Sequence, residues 1–357
     1  MSVESSATNG VHGQVPARDA TTGADVPPGG GGPRRKRRTW AEPEFRSYYD
    51  LPVINKPVWA SPDIPGYFFL GGLAGAGAAV GLAAQMTGRP ALAKVSKVGS
   101  AVAGQLSLVG LVHDLGRRGR FLNMLRVFKV ASPMSVGSWL LAGFVPASGV
   151  SALAALVSPA AKPAGAAAGG ESAALGAIQA VGKLASVVAT ALGLPVATYT
   201  AALMSNTAVP AWHDGHEYYP FIFVSSAATS AAGLGLVFAP VSETGPLVAL
   251  GALAGMAEVA LSKLHEESIG IVKEAFHEGE AERYMKAAEI LTAGGAVLTA
   301  TSGKSRLRRA VGGAMLLTGS AFLRFGIFEA GISSTQDPKY TVVPQRERLE
   351  KRKVGQG

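Results

Sequence analysis

The 357-residue sequence contains no cysteine and only six histidines. Without thiolates the chain can form no disulfide and cannot hold an iron–sulfur cluster through cysteine. Most of the histidines lie outside the apolar segments, so we do not expect a haem held by paired histidines inside a membrane. No metal site is predicted. Because of these absences, we expect no redox centre within the chain itself.

Charged residues are also scarce. They make up 16% of the chain, whereas hydrophobic residues make up 48% and the mean hydropathy is +0.26. A soluble domain usually carries about a quarter charged residues, so the composition indicates a protein surrounded by lipid. Much of the basic charge behind the net charge of +9 lies in the tails and in short loops between apolar runs. It therefore does not indicate binding to nucleic acid.

The chain begins with a segment that is rich in Gly, Pro, Ala and Thr and ends in "PPGGGGP", followed by the basic block "RRKRR" at residues 34–38. Such a composition predicts disorder. The block is followed by a polar, proline-punctuated stretch rather than an apolar one, so we expect a cytoplasmic topology anchor and not a cleaved signal. The predicted organisation is a disordered basic tail over residues 1–40, a transmembrane domain over 41–345 and a charged tail over 346–357.

Eight apolar segments have about the length of a membrane span, which takes about 20 residues. Helices in lipid need not alternate polar and apolar faces as soluble helices do. The sequence therefore predicts an all-α polytopic membrane protein with about eight transmembrane helices, the seventh being the shortest. The predicted spans are residues 64–86, 93–112, 135–157, 178–204, 221–240, 246–263, 287–301 and 310–332.

Eight spans place both termini on one side of the membrane, which we call the near face. The near face carries most of the Lys and Arg residues, including Arg117, Arg118 and Arg120 in the loop between the second and third spans. Because basic loops favour the cytoplasm, we expect cytoplasmic termini and a location in the cell membrane. The far face has its own basic cluster, "GKSRLRR" at residues 303–309, which opposes this orientation.

Ionisable residues stand out at two places in this apolar chain. His113 and Asp114 lie at the near-face edge of the second span, where they could relay protons or where Asp114 could pair with Arg117 or a helix N-terminus. Glu258 and Arg324 lie inside the sixth and eighth spans at similar depths, roughly 8–12 Å from the near face at about 1.5 Å per residue. They could form a buried ion pair or the inner end of a proton route.

Three segments resemble the NrfD/PsrC family, the integral-membrane subunits of polysulfide reductase and related quinone-linked complexes. They are "PVINKPVWASPDIPGYFFLGGLAGAGA", "HDLGRRGRFLNMLRVFKVASPMSVGSWLL" and "YTAALMSNTAVPAWHDGHEYYPFIFVSSAATSAAG". The ending "RFGIFEAG…DPKYTV..QR" resembles actinobacterial members associated with formate-dehydrogenase-like molybdenum enzymes. The resemblance covers about residues 48–345. It implies two four-helix bundles without a prosthetic group.

The resemblance also implies a quinone site near the start of the first span, beneath a ferredoxin-like iron–sulfur subunit that exchanges electrons with a molybdopterin subunit. Tyr67 stands where the polysulfide reductase pattern has a His, and Ile64 where it has an Asn. The candidate quinone-binding residues are Tyr67, Trp59 and His213. The candidate proton-transfer residues are His113, Asp114, Glu258 and Arg324. The predicted docking surface comprises Arg117, Arg118, Arg120 and Phe121.

The main functional hypothesis is a subunit that is not catalytic alone and that passes electrons between an iron–sulfur partner and menaquinone. One alternative is a membrane transporter or channel, which the number of spans would suit. Another is a purely structural anchor for a dehydrogenase. This alternative stays open because Tyr67 stands where the polysulfide reductase pattern has a His. Quinol formation by the assembled complex distinguishes the main hypothesis from the structural anchor.

Overall fold

The computed structural model describes residues 53–157 and 173–354, and none of these residues lies in a β-strand. The predicted disordered tail, the basic block at residues 34–38 and the end of the chain beyond residue 354 lie outside the described residues. The prediction of an all-α membrane protein is confirmed, because most of the described chain lies in helices and seven of these are long and apolar enough to cross a membrane.

Ten α-helices and two 3₁₀ helices make up the described chain. The α-helices are α1 (Asp63–Met86), α2 (Pro90–Asp114), α3 (Pro133–Val157), α4 (Ala173–Ser205), α5 (Pro210–His213), α6 (Tyr219–Phe238), α7 (Gly245–Ser268), α8 (Gly279–Ala300), α9 (Arg306–Ser334) and α10 (Lys339–Val354). The 3₁₀ helices are η1 (Arg118–Leu125), which follows α2, and η2 (Gly270–His277), which follows α7.

Seven of these helices are long and apolar enough to cross a membrane: α1, α2, α3, α4, α6, α7 and α9. Each contains or nearly matches one predicted span. The shortest predicted span, residues 287–301, corresponds to α8. This helix has 22 residues, but its first half carries Glu280, Glu282, Arg283, Lys286 and Glu289, so only its second half is apolar.

The chain divides into two units by its contacts. The membrane unit is Pro57–Ile332, and the terminal unit comprises Met1–Lys56 and Ser333–Gly357. Within the terminal unit, α10 begins after Asp337, whose side chain accepts a hydrogen bond from the backbone N–H of Lys339 at 2.8 Å. This helix runs into the predicted charged tail, and the side chains of residues 345–350 are exposed.

The eight long helices described in the membrane unit, which are all of α1 to α9 except the short α5, form two groups of four. In the first group α1 packs against α2 and α4, and α3 packs against α2 and α4. In the second group α7 packs between α6 and α8, and α9 closes the group through small residues such as Gly313, which lies against Gly233 of α6. The contact between α1 and α6 joins the groups, as the family resemblance implies.

Glycines on α1 allow its neighbours to approach closely. A Cβ added to Gly75 would lie 2.1 Å from the carbonyl oxygen of Gly193 on α4, and one added to Gly72 would contact Ala227 on α6. Small residues at these positions permit the backbone contact by which helices associate in lipid. They fix α1 between the two groups.

Serine hydroxyls connect α2 to α1 along the same interface. Ser100 donates to the carbonyl of Ala74 at 2.6 Å, and Ser107 donates to the carbonyl of Tyr67 at 3.2 Å. A buried hydroxyl in an apolar setting requires a partner, so these bonds specify the register of the two helices. That register brings the start of α1 beside the end of α2.

Candidate functional site

Two hydrogen bonds hold the end of α2 against the start of α1. The Asp114 carboxylate accepts the backbone N–H of Ala60 at 2.9 Å, and Nδ1 of His113 lies 2.6 Å from Oδ2 of Asp63. The Asp114 side chain thus binds the turn that precedes α1 and does not form the ion pair with Arg117 that the sequence also allowed. His113 is largely exposed, with 56% of its side chain accessible, so this pair lies where water meets the membrane unit.

A cavity of about 60 Å³ lies directly beneath this connection. Its lining includes the side chains of Trp59, Tyr67, Asp114 and Tyr199, which carry polar atoms. The remaining lining is mostly apolar and comes from α1, α2, η1, α3 and α4: Ile64, Phe68, Leu111, Leu115, Met124, Met134, Ser138 and Leu203. Of the residues predicted for the site, Trp59, Tyr67 and Asp114 therefore share one cavity.

Tyr199 is a lining residue that the sequence analysis did not single out. Its hydroxyl is buried and has no hydrogen-bond partner among the described residues. Its ring packs on Gly137, where an added Cβ would lie 2.1 Å from a ring carbon, and lies edge-on to the ring of Tyr67 with centroids 6.4 Å apart. A phenol buried without a partner is costly, so its hydroxyl is available to a ligand.

Trp59 is held over the cavity by stacking. Its ring stacks on Trp212 at 5.3 Å and meets Phe68 edge-on at 6.3 Å. Trp212 is fully buried and donates its indole N–H to the carbonyl of Ile327 at 2.9 Å. The segment before α1 is thereby fixed to the second group of helices, which gives the cavity a rigid aromatic wall.

A comparison with family models matches residues 53–245 to the family described as "Polysulphide reductase, NrfD". This match covers more than half of the chain and includes every residue that lines the cavity. The chain belongs to the NrfD family. A comparison with curated proteins finds no match.

NrfD subunits are membrane proteins that interact with quinones and that partner with iron–sulfur and molybdoenzyme subunits. This NrfD chain has no cysteine, and no group of three or more metal-binding side chains occurs among the residues that the structure describes. It is a multi-pass membrane protein of a family that interacts with quinones, and the cavity between α1, α2 and α4 is its candidate quinone site.

Other predicted residues of this NrfD chain lie near the cavity without lining it. Nδ1 of His213, the last residue of α5, lies 3.0 Å from the carbonyl oxygen of Ser205, the last residue of α4. Arg117, Arg118 and Arg120 are exposed in and beside η1. Phe121, predicted to contact a partner, lines an apolar groove between α2 and α3. The exposed apolar residue on that turn is Leu122, with 60% of its surface accessible.

Glu258 and Arg324 form a separate buried group in the second set of helices. The Glu258 carboxylate accepts hydrogen bonds from Thr292 and Ser320, both at 3.2 Å. Arg324 donates to the carbonyl of Phe223 at 3.0 Å and stacks over its ring at 3.5 Å. The Nε and Nη1 atoms of Arg324 have no hydrogen-bond partner within the described chain, so no direct hydrogen bond joins Arg324 to Glu258.

A second cavity, of about 150 Å³, extends from Glu258 toward the near face. Its outer lining is charged and includes Lys263, Glu266, His277, Glu282 and Lys286. It shares no lining residue with the cavity of Tyr67 and Asp114. The two polar sites of the membrane unit are thus distinct.

Proposed function

We propose that this subunit exchanges electrons between an iron–sulfur partner and menaquinone, with the quinone headgroup bound between Tyr67, Asp114 and Tyr199. The observation that supports the proposal most strongly is that Tyr199 lines a mostly apolar cavity and that its buried hydroxyl has no hydrogen-bond partner among the described residues. Quinone sites need an apolar cavity with a few polar groups that fix the orientation of the ligand.

The lining fits a planar ring with two carbonyl oxygens. The phenol of Tyr199 can donate a hydrogen bond to one carbonyl, and the aromatic side chains of Tyr67 and Trp59 offer flat surfaces to the ring. Tyr67 stands where the polysulfide reductase pattern has a His, so hydrogen bonding by phenols would replace that of an imidazole at this site.

Reduction of a quinone to a quinol consumes two electrons and two protons. We propose that Asp114 supplies protons, because it lines the cavity while one of its oxygens binds the turn before α1. His113 and Asp63 lie beside it at the water-exposed end of α2. Protons from the aqueous phase would reach Asp114 through this pair and pass to the bound quinone.

Electrons must arrive from outside the chain, since it has no cysteine to hold a cluster. We propose that a ferredoxin-like iron–sulfur subunit docks over the near face and contacts the exposed Arg117, Arg118 and Arg120, with Leu122 adding apolar contact. A molybdopterin enzyme of the formate dehydrogenase type would complete the assembly. The ending that suggests this enzyme lies beyond residue 245, outside the family match.

For Glu258 and Arg324 we propose a role in proton exchange that is separate from quinone binding. Their cavity meets the charged near face through Lys263, Glu266 and His277, which would give Glu258 access to protons. Proton movement during quinol formation by a Glu258→Gln complex tests this role, since unchanged movement would leave Glu258 with a structural function only.

The test of the quinone site is Tyr199→Phe in the assembled complex. The variant keeps the ring that packs on Gly137 and removes only the hydroxyl. A neutral hydrogen bond contributes about 0.5–1.5 kcal/mol, so the apparent affinity for menaquinone should fall by roughly two- to tenfold.

The matched control is Tyr284→Phe. Tyr284 lies on α8 against Phe322 and Phe325, away from the cavity, so this variant should behave as the wild type in quinol formation. Equal quinone kinetics for both variants would mean that the Tyr199 hydroxyl does not contact the substrate.

A further inference from the structure

We propose that the apolar groove between α2 and α3 holds the isoprenoid tail of the quinone. This inference rests on the proposed quinone site and adds to it the path by which the substrate enters from the bilayer. The groove has a volume of about 150 Å³ and lies beneath η1. It is lined by Leu108, Leu111, Val112, Leu115, Phe121, Met124, Leu125, Ser138, Leu141, Ala142, Val145 and Pro146.

The groove adjoins the headgroup cavity. Leu111, Leu115, Met124 and Ser138 line both spaces. A ligand with its ring beside Tyr67 and Tyr199 would therefore find this groove at the next turn of α2. Of the twelve residues that line the groove, only Ser138 has a polar side chain, and its hydroxyl already donates to the carbonyl of Met134 at 2.8 Å. The lining offers nothing to a polar ligand and suits a hydrocarbon chain.

The outer wall of the groove faces lipid. Ala142 on α3 is exposed in the described chain, although it lies within an apolar membrane span. Pro146 follows it by four residues inside the same helix. A proline in a helix removes the hydrogen bond to the carbonyl four residues earlier and bends the helix there. The sequence thus loosens α3 at the point where the groove meets the bilayer.

Met124 on η1 is one of the four residues that lie between the two spaces. An unbranched thioether side chain changes conformation readily, and η1 is held by contacts to α2 and α3 rather than being buried itself. Movement of Met124 would join the cavity and the groove into one slot for a ring and its tail. An ordinary phospholipid chain would fill the groove without needing this connection, so the four lining residues that the groove shares with the headgroup cavity favour the quinone tail.

The experiment compares a quinone with a tail and one without. The full-length chain in lipid nanodiscs is titrated with menaquinone-4 and with menadione, which has the same naphthoquinone ring and no tail. Quenching of tryptophan emission reports binding, because Trp59 lines the headgroup cavity. The first test variant is Ala142→Phe, which fills the groove from its lipid-facing wall. The second is Val112→Phe, which fills it from α2 and adds no tryptophan. The matched control is Ala191→Phe, which adds the same side chain at an exposed alanine of α4.

We expect Ala142→Phe and Val112→Phe to weaken binding of menaquinone-4 by tenfold or more while menadione binds within twofold of the wild type. Ala191→Phe should leave both quinones unchanged. Wild-type affinity for menaquinone-4 in both groove variants would overturn the inference and leave the groove to bilayer lipid. Failure of the wild type to bind menadione and menaquinone-4 alike would instead count against the quinone site itself, so the two failures are distinguishable.

Discussion

Tyr199 and Asp114 reach the same cavity by different means. Tyr199 is carried inward by the packing of α4 on α1 and by the absence of a side chain at Gly137. Asp114 is placed by its hydrogen bond to Ala60, which ties the last residue of α2 to the turn before α1. One residue therefore offers a hydrogen bond inside the cavity, and the other lies between the cavity and water.

Asp114→Asn separates these functions. The asparagine side chain can still accept the N–H of Ala60, so the connection between α1 and α2 should persist. It cannot transfer a proton, and general acid–base catalysis contributes about 10²–10⁴-fold to rate. We expect quinol formation by the complex to slow roughly 100-fold with little change in quinone affinity and with the iron–sulfur partner still bound.

The contrasting variant reverses Arg117, Arg118 and Arg120 to Glu together. Each exposed ion pair with a partner contributes only about 0–1 kcal/mol, so the triple change is needed to release the partner. A control reverses Lys304 and Arg308, which are exposed on the far side. Co-purification decides the matter: if the triple variant retains the partner, these arginines do not form the docking surface.

At the scale of helices, the sequence predicted most of the fold because lipid imposes a simple rule on length and polarity. The predicted spans and the observed helices begin and end within a few residues of each other in most cases, as for α1 and α3. The main difference is α8, whose charged first half extends the helix beyond the predicted apolar segment. A helix can continue past an apolar run wherever its residues favour helix, and hydropathy alone does not predict this extension.

The site was less predictable than the helices. Family resemblance pointed to Tyr67 and the near-face end of α2, and residues at those positions do line one cavity. Tyr199 begins the third resembling segment, yet nothing in its local sequence shows that it turns inward. Its position depends on the rotation of α4, on Gly75 meeting Gly193 and on the space at Gly137. These are tertiary contacts that a single sequence does not reveal.

Gly75→Ala tests the close crossing of α1 and α4. The added methyl would lie 2.1 Å from the carbonyl oxygen of Gly193, so the backbones must separate, and overpacking of this kind typically costs about 1–3 kcal/mol. We expect a lower midpoint of thermal unfolding in detergent and weaker quinone binding, because Tyr199 would move away from Tyr67.

Gly66→Ala is the matched control on the same helix, where nothing lies within 4 Å of an added Cβ. Alanine favours helix over glycine by roughly 0.5–1 kcal/mol, so this variant should be as stable as the wild type or more so. Equal loss of stability in the two variants would show that the crossing of α1 and α4 is not tightly packed.

For the molecule as a whole, two of the four basic residues in the far-side cluster at residues 303–309 have a structural explanation. Arg306 donates to the carbonyls of Val237 and Ala239 at the end of α6. Arg309 donates to the carbonyl of Val241 at 2.7 Å and to the hydroxyl of Thr244 at 2.8 Å. Arg306 thus satisfies carbonyls that the end of α6 leaves without partners, and Arg309 binds the loop that follows α6. They therefore oppose the proposed cytoplasmic orientation of the near face less than their number suggests.

The natural absence of cysteine allows this orientation to be measured directly. Gly119 in η1 and Lys304 before α9 are both exposed. A single cysteine at Gly119 would lie on the near face, and one at Lys304 on the far face. In whole cells, a membrane-impermeant maleimide should label Lys304→Cys and leave Gly119→Cys unlabelled until the membrane is permeabilised. The reverse pattern would place the near face outside the cell.

The most direct test of the central claim is photoaffinity labelling of the intact membrane complex with an azido-naphthoquinone that carries an isoprenoid tail, followed by mapping of the labelled residues by mass spectrometry. The account predicts labels at the start of α1, the end of α2 and the end of α4, around Tyr67, Asp114 and Tyr199, and their loss when excess menaquinone-4 competes. Specific labelling confined to α6–α9, or labelling that menaquinone-4 does not displace, would contradict a quinone site in this cavity.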